Sequence, residues 1–240
     1  MLIKVQELVD AWSIGPSGVI HIGAHAAEES NDYQRFGWRP VTWIEANPQL
    51  IDRLKAVIPE GDTVICAALW DEDELSLDFN IANNGESSSF LRPVTHLIAH
   101  PEIKFETQTP LSTKRLDSIL TEIPNFLNLD VQGAELHVLR GMGNLIDSLD
   151  YIYTEINDEE LYQDCAKLED MDNYLASNGF SRVCLRRSGR SGWGDALYVR
   201  NNLHLRKSAR VSIKTFYLYL KHRTDGVYRY FKYLFSASKV

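Results

Sequence analysis

Short apolar runs alternate with amphipathic stretches along most of the chain. Val19, Ile20 and Ile22 form a β-branched run that stops at Gly23-Ala24, and Tyr33 and Phe36 follow three apart. This predicts a buried strand, a tight turn and a helix start. Val41–Glu45 reads as a second strand, and Asn47-Pro48 as the cap of a helix burying Leu50, Leu54, Val57 and Ile58. Residues 63–69 read as a third buried strand ending at the acidic turn 71–74, after which Leu75, Leu77 and Phe79 alternate as on a half-exposed strand. Residues 83–110 read as a long loop, either a lid over a site or a plain surface excursion, with His96 and His100 in it.

Residues 113–120 predict a short helix, and Phe126–Val131 a fourth core strand. Gly133 then opens a helix that buries Leu136, Leu139 and Met142, and Gly141 and Gly143 mark its end. Tyr151–Ile156 is a fifth strand, and residues 164–178 an amphipathic helix facing inward with Leu168, Met171 and Leu175. Two last strands, Ser181–Leu185 and Ala196–Arg200, flank a turn with Gly189, Gly192 and Gly194. Residues 3–12 supply a short lead-in helix.

Five strands alternating with helices predict an α/β protein with a parallel sheet covered on both faces. The connection between the last two strands is too short for a crossover, so they pair antiparallel. A mostly parallel seven-stranded sheet ending this way is the usual form of the class I, Rossmann-like methyltransferase fold. Small residues at the first turn let a ligand approach the backbone, although an ordinary βα turn looks the same. Glu45, 22 positions after Gly23 at the end of the second strand, is placed to accept hydrogen bonds from a ribose. Together they point to a nucleoside-bearing cofactor.

Composition narrows the class. At 240 residues, 44% hydrophobic and 24% charged, the chain suits one large soluble domain. No run approaches the ~20 apolar residues of a membrane span, and the first residues do not read as a secretion signal. Cys66, Cys165 and Cys184 lack metal-site spacing and fit packing roles in a reducing cytoplasm. The net charge of −8 divides unevenly: residues 201–240 hold nine Lys/Arg against Asp225, leaving −16 on the first 200. We therefore expect a domain over 1–200 and a basic, aromatic, helical extension over 201–240. That extension can lie on an anionic membrane surface, or pack against the body or a second subunit. The acidic body argues against nucleic acid as a partner.

The segments HIGAHAAEES, WIEANP, SSSFLRP, TKRLDSIL, LNLDVQGAELHVLRGM and YTEIN, in this order, resemble the FkbM-type methyltransferases. The resemblance covers roughly residues 17 to 200 and is most distinctive at Asp130–Glu135. It implies S-adenosylmethionine as cofactor and a hydroxyl of a sugar, glycan or related natural product as acceptor. It places Gly23, Ala24 and His25 beside the methionine part, Glu45 on the ribose, and Asn47 or the backbone of Ala46 next to it. Ala67 and Ala68 would border the adenine, Ser88 and Ser89 would face the cofactor, and Asp130 would lie near the transferred methyl. His21 and Ala27 depart from the family pattern, which has an acid and a second glycine there.

A sugar hydroxyl is weakly acidic and needs a base or a cation. Asp130 and Glu155 end adjacent parallel strands and could hold Mg²⁺ as a pair, or one of them could act as base. Glu135, His25 and His96 are further base candidates. The loop 83–110 and the turn 186–195, with Arg186, Arg187, Arg190 and Trp193, are expected to shape the acceptor pocket. Two other readings stay open: a non-catalytic member that binds cofactor or glycan, and a nicotinamide-dependent dehydrogenase, whose G-x-G-x-x-G fingerprint the chain does not meet.

Overall fold

The computed structural model describes residues 1–95, 97, 101–189 and 192–203. His96, His100, Arg190 and the extension from 204 onward, with its expected membrane or subunit contacts, lie outside the described residues. The described residues group into a main body, Met1–Val5 with those from Gly15 to 203, and a second unit containing Gln6–Ile14. The helix α1 (Val5–Trp12) leads in. The body then runs β1 (Val19–Ile22), α2 (Ser30–Phe36), β2 (Val41–Glu45), α3 (Ile51–Val57), β3 (Thr63–Cys66), β4 (Ala68–Leu69), β5 (Ser76–Ala82) and β6 (Phe105–Lys114). It continues with α4 (Leu116–Ile119), β7 (Phe126–Leu129), α5 (Glu135–Gly141), β8 (Tyr151–Asn157), α6 (Leu168–Ser177), β9 (Phe180–Arg187) and β10 (Trp193–Arg200).

Seven strands form one sheet in the order β3-β2-β1-β7-β8-β10-β9. The first five are parallel, and β10 runs antiparallel to both β8 and β9. The expected class I methyltransferase architecture is therefore present. The sheet's faces differ. Ile20, Ile22, Ile44, Leu127, Leu129 and Ile152 join Leu136, Leu139, Met171 and Leu175 in an aliphatic core. On the opposite face the register aligns His21 with Trp43 and Asn128. There His21 stacks on Trp43 (4.9 Å between ring centres), and Tyr33 of α2 packs against both. Alternation along each strand makes this division, because successive side chains point to opposite faces.

Three expectations need correction. Residues 63–69 are not one buried strand: β3 is the partly exposed edge of the sheet, with Cys66 exposed, and β4 leaves it for a second sheet. That second sheet, β4-β6-β5, was not foreseen. Its long member β6 occupies residues read as loop and as the start of a helix, so the loop ends by 104 and the helix shrinks to Leu116–Ile119. β6 escaped notice because its burial is irregular: it pairs with β5 through backbone bonds and lies largely open to solvent. Lastly, the helix expected over 164–178 starts only at Leu168.

Candidate active site

The turn after β1 is held by its backbone. Gly23 adopts φ +85°, and a Cβ built there would fall 1.7 Å from the carbonyl oxygen of Asp130. Only glycine lets β1 and β7 end this close together. The amides of Gly23 and Ala24 donate to the Ile44 carbonyl at 2.9 and 3.1 Å, so a ligand that approaches this turn does not find them free. His25 and Ala27 also take positive φ (41° and 57°), and α2 begins only at Ser30. Glu45 secures the turn: its Oε2 accepts from the His25 amide (2.9 Å) and its Oε1 from the Asn47 amide (2.8 Å). Burial raises its carboxyl pKa, opposed by those amides.

Two connected lobes open along the carboxyl edge of the sheet, with Gly23, His25, Glu86, Asp130 and Gln132 lining both. One is apolar, walled by Ile22, Ile44, Leu69, Phe79, Phe90 and Ala134, with Glu45, Ala46, Ala67 and Ser88 also on its lining. The other, about 330 Å³, carries the carboxylates of Glu28, Glu29, Glu86, Asp130 and Glu155 with His21, His25 and Trp193. His25 Nδ1 hydrogen-bonds Glu28 at 2.8 Å, which raises the imidazole's pKa and lowers the carboxylate's. Beneath the floor, Asn128 donates to the Tyr33 hydroxyl (2.7 Å), which lies 3.2 Å from His21 Nδ1. Burial pushes the His21 pKa down to about 4.

The expected site residues separate into two groups. Gly23, His25, Glu45, Ala46, Ala67, Ser88, Asp130 and Glu155 line the lobes. Ala24, Asn47, Ala68, Ser89 and Glu135 do not line them. Asn47 caps the turn after β2 by accepting from the Gln49 amide (3.0 Å), and Ala68 belongs to β4. Ser89 donates to the backbone carbonyl of Gln132 (2.7 Å). Glu135 is buried, and its Oε1 accepts the amides of Val131 and Gly133, both at 3.1 Å. Burial and the nearby Asp130 charge raise its pKa to about 7 against those two bonds. Of the turn expected to shape the acceptor pocket, Trp193 lines the cavity. Arg187 instead pairs with Asp158, and Arg186 donates to the Leu2 carbonyl.

One important residue was missed. Gln132, inside the distinctive Asp130–Glu135 segment, donates through Nε2 to Asp130 Oδ1 (2.7 Å) and Glu155 Oε2 (3.2 Å). Its position between two strand-end acids was the only signal in the sequence. It also decides the expected Mg²⁺ site. Asp130, Glu135 and Glu155 offer ligand atoms within 4.8 Å of one another, but the Gln132 amide already bridges two of them and backbone amides hold the third. The donor set does not fit a cation as it stands. The apolar lobe has the chemistry for an adenosyl group, a surface for a base and in Glu45 a carboxylate with spare lone pairs for a diol, but at about 60 Å³ it has to widen to take one.

The profile of the FkbM methyltransferase domain family matches residues 21–182. The chain belongs to the FkbM methyltransferase family. Proteins similar to it include the 2-O-methyltransferase NoeI of Sinorhizobium fredii strain NGR234, 33% identical over 81 residues. Another is the hexuronic acid methyltransferase AglP of Haloferax volcanii, 26% identical over 157 residues. The matches cover 32% and 65% of this chain, and the chain spans only 33% and 59% of the lengths of these relatives. Among solved structures, a magnesium protoporphyrin IX methyltransferase from Synechocystis PCC 6803 with bound S-adenosylmethionine aligns at TM-score 0.45 and 13% identity. That alignment covers 76% of this chain and 69% of that one. Family membership gives this chain a methyltransferase FkbM domain, and the strand order, rather than the distant structural likeness, identifies its fold.

Proposed function

We propose that this FkbM protein methylates a hydroxyl of a sugar, glycan or related natural product, with Asp130 as the base. The observation that carries the proposal is the place of Asp130, half-buried on the wall shared by the apolar and acidic lobes. A base there can meet an acceptor hydroxyl beside a cofactor bound in the other lobe. The cofactor supplies an electrophilic methyl; the chain's task is to hold the adenosine against Glu45, orient the acceptor and take its proton. Glu155 is buried, and desolvation together with the Asp130 and Glu135 charges raises its pKa strongly. It therefore stays protonated when Asp130 gives up its proton, since two adjacent carboxylates resist joint ionisation.

The relatives support the acceptor class: one is named a 2-O-methyltransferase and the other a hexuronic acid methyltransferase. An anionic acceptor such as a hexuronic acid, as in the name of one of them, fits this chain less well. Five acids line the acidic lobe against the Met1 ammonium and His25, and no Lys or Arg lines it among the described residues. A neutral or amine-bearing sugar meets no repulsion there.

Calorimetric titration tests the cofactor first. Wild type should bind S-adenosylmethionine and not NAD, and Glu45→Gln should weaken that binding about tenfold through lost charge-assisted bonds. Labelled methyl transfer to a glycoside panel then tests the reaction. Asp130→Asn should lower kcat about 100-fold or more, and exhaustive chelation should leave wild-type turnover intact. Turnover by Asp130→Asn within twofold of wild type would remove Asp130 as base.

A further inference from the structure

Gln132 is tied at four points. Its backbone carbonyl accepts from Ser89 Oγ (2.7 Å), and its side-chain Oε1 accepts from the Tyr162 hydroxyl (2.8 Å). Its Nε2 donates to both Asp130 and Glu155. The backbone sits at φ +55°, a left-handed conformation that a glutamine adopts only when its surroundings impose it. Those surroundings are visible. Glu135 pins the amides on either side of Gln132, and the next residue, Gly133 (φ +99°), lies so near Tyr162 that an added Cβ would come within 3.1 Å of that ring. Tyr162 is brought there by the loop after β5: Val94 donates to the Leu161 carbonyl (2.8 Å) and Gln163 to that of Arg92 (2.7 Å).

This arrangement determines which way the amide faces. A tyrosine hydroxyl donating to Oε1 leaves Nε2, with its two hydrogens, turned toward the two carboxylates. The reverse orientation would set an amide oxygen against the Asp130 carboxylate and a Glu155 carboxyl oxygen. Two acids this close resist joint ionisation, and a neutral amide that donates to both holds them side by side.

We propose that Gln132 is the positioning residue of methyl transfer: held by Tyr162, its amide bridges Asp130 to Glu155 and fixes Asp130 at the acceptor hydroxyl. Gln132 acts through Asp130, and Tyr162 acts through Gln132. This deepens the reading of Asp130 as base and rests on it. Tyr162 lines neither lobe, and removing its hydroxyl takes the donor from Gln132 Oε1.

The test uses the full-length chain with Gln132→Met, Tyr162→Phe and the double variant. Gln132→Met should lower kcat about 10- to 100-fold, the effect of a misplaced reacting group, with acceptor KM and S-adenosylhomocysteine affinity within about threefold of wild type. Tyr162→Phe should lower kcat about tenfold alone and add less than about twofold in the Gln132→Met background. Retained S-adenosylhomocysteine binding shows that each variant is folded. Full kcat in Gln132→Met, or a Tyr162→Phe effect equally large in both backgrounds, overturns the proposal.

Side-chain amide NMR of the wild type supplies a readout that needs no turnover. The Gln132 Nε2 protons should exchange slowly with solvent in wild type and fast in Tyr162→Phe; fast exchange in wild type overturns the bridge. A wild type that transfers no methyl to any glycoside, yet shows the protected amide, ends the acceptor reading and leaves the bridge standing.

Discussion

Gly23 and His21 show how much one side chain, or its lack, decides. At Gly23 the carbonyl of Asp130 occupies the space a methyl would need, so β1 and β7 converge at the site only without a Cβ. Two positions earlier, His21 is buried and neutral among Trp43, Tyr33 and Asn128. Its pKa falls from an ordinary 6.5 to about 4. Between those pH values the unfolded chain binds a proton that the folded one refuses. Stability from this residue is therefore lost as pH drops through that window, by about 1.4 kcal/mol per unit. Glu135 runs the other way: raised from 4.5 to about 7, it holds a proton when folded that the unfolded chain has released, so its contribution is lost as pH rises through that range. The two partly cancel in any single melting profile. The difference between wild type and His21→Gln isolates the imidazole. The variant should gain on wild type from pH 6.5 to 4 in thermal melts, and a constant difference would refute the assignment.

At the scale of elements, the sheet and the β5–β6 arm differ in how they were encoded. β1, β7 and β8 are buried along their whole length, and their mostly apolar runs announce them although His21, Asn128 and Glu155 interrupt them. The arm has no such signal, yet it brings the site its outer wall. β5 and β6 pair from Ser76 and Ser112 to Ala82 and Phe105 and carry Glu86–Ser89 over the lobes. Asn80 and Ser89 exchange backbone bonds at 2.9 and 3.1 Å, and Ser89 Oγ ties the arm to the Gln132 carbonyl while accepting from the Leu91 amide (3.0 Å). Ser89→Ala leaves that carbonyl and that amide without their partner. It should cost about 1–3 kcal/mol in denaturant unfolding, the usual penalty for unpaired buried polar groups. A loss below about 0.5 kcal/mol would show that the arm is held by other contacts.

For the whole molecule, charge is the property that bears on function. The first 200 residues carry −16 and the last forty +8. Five of the acids gather in the lobe offered to the acceptor. The acids outnumber the Met1 ammonium and the His25 imidazole that share the lobe, and salt weakens the net field this leaves. A neutral glycoside should therefore exceed the matching glycuronide in kcat/KM by about tenfold or more at low ionic strength. The gap should narrow as salt is added, and equal rates at low salt would contradict the prediction. Among the described residues, no helix is long and apolar enough to cross a membrane.

The linear chain determined the number and order of the core strands, the antiparallel end pair, the turn at Gly23 and the acids at positions 45, 130 and 155. These are legible because burial imposes a period on local residues and because each acid ends a strand, where parallel sheets gather their ligands. Tertiary structure alone decided that Glu135 pins a turn, that Asn47 and Ser89 serve backbone groups, and that Gln132, bonded to Tyr162, bridges Asp130 and Glu155. The reason is geometric: Tyr162 is 30 residues from Gln132, and Ser89 is 43. Hydrogen bonds between such distant positions leave no periodic trace, since what matters is which atoms the fold brings within 3 Å.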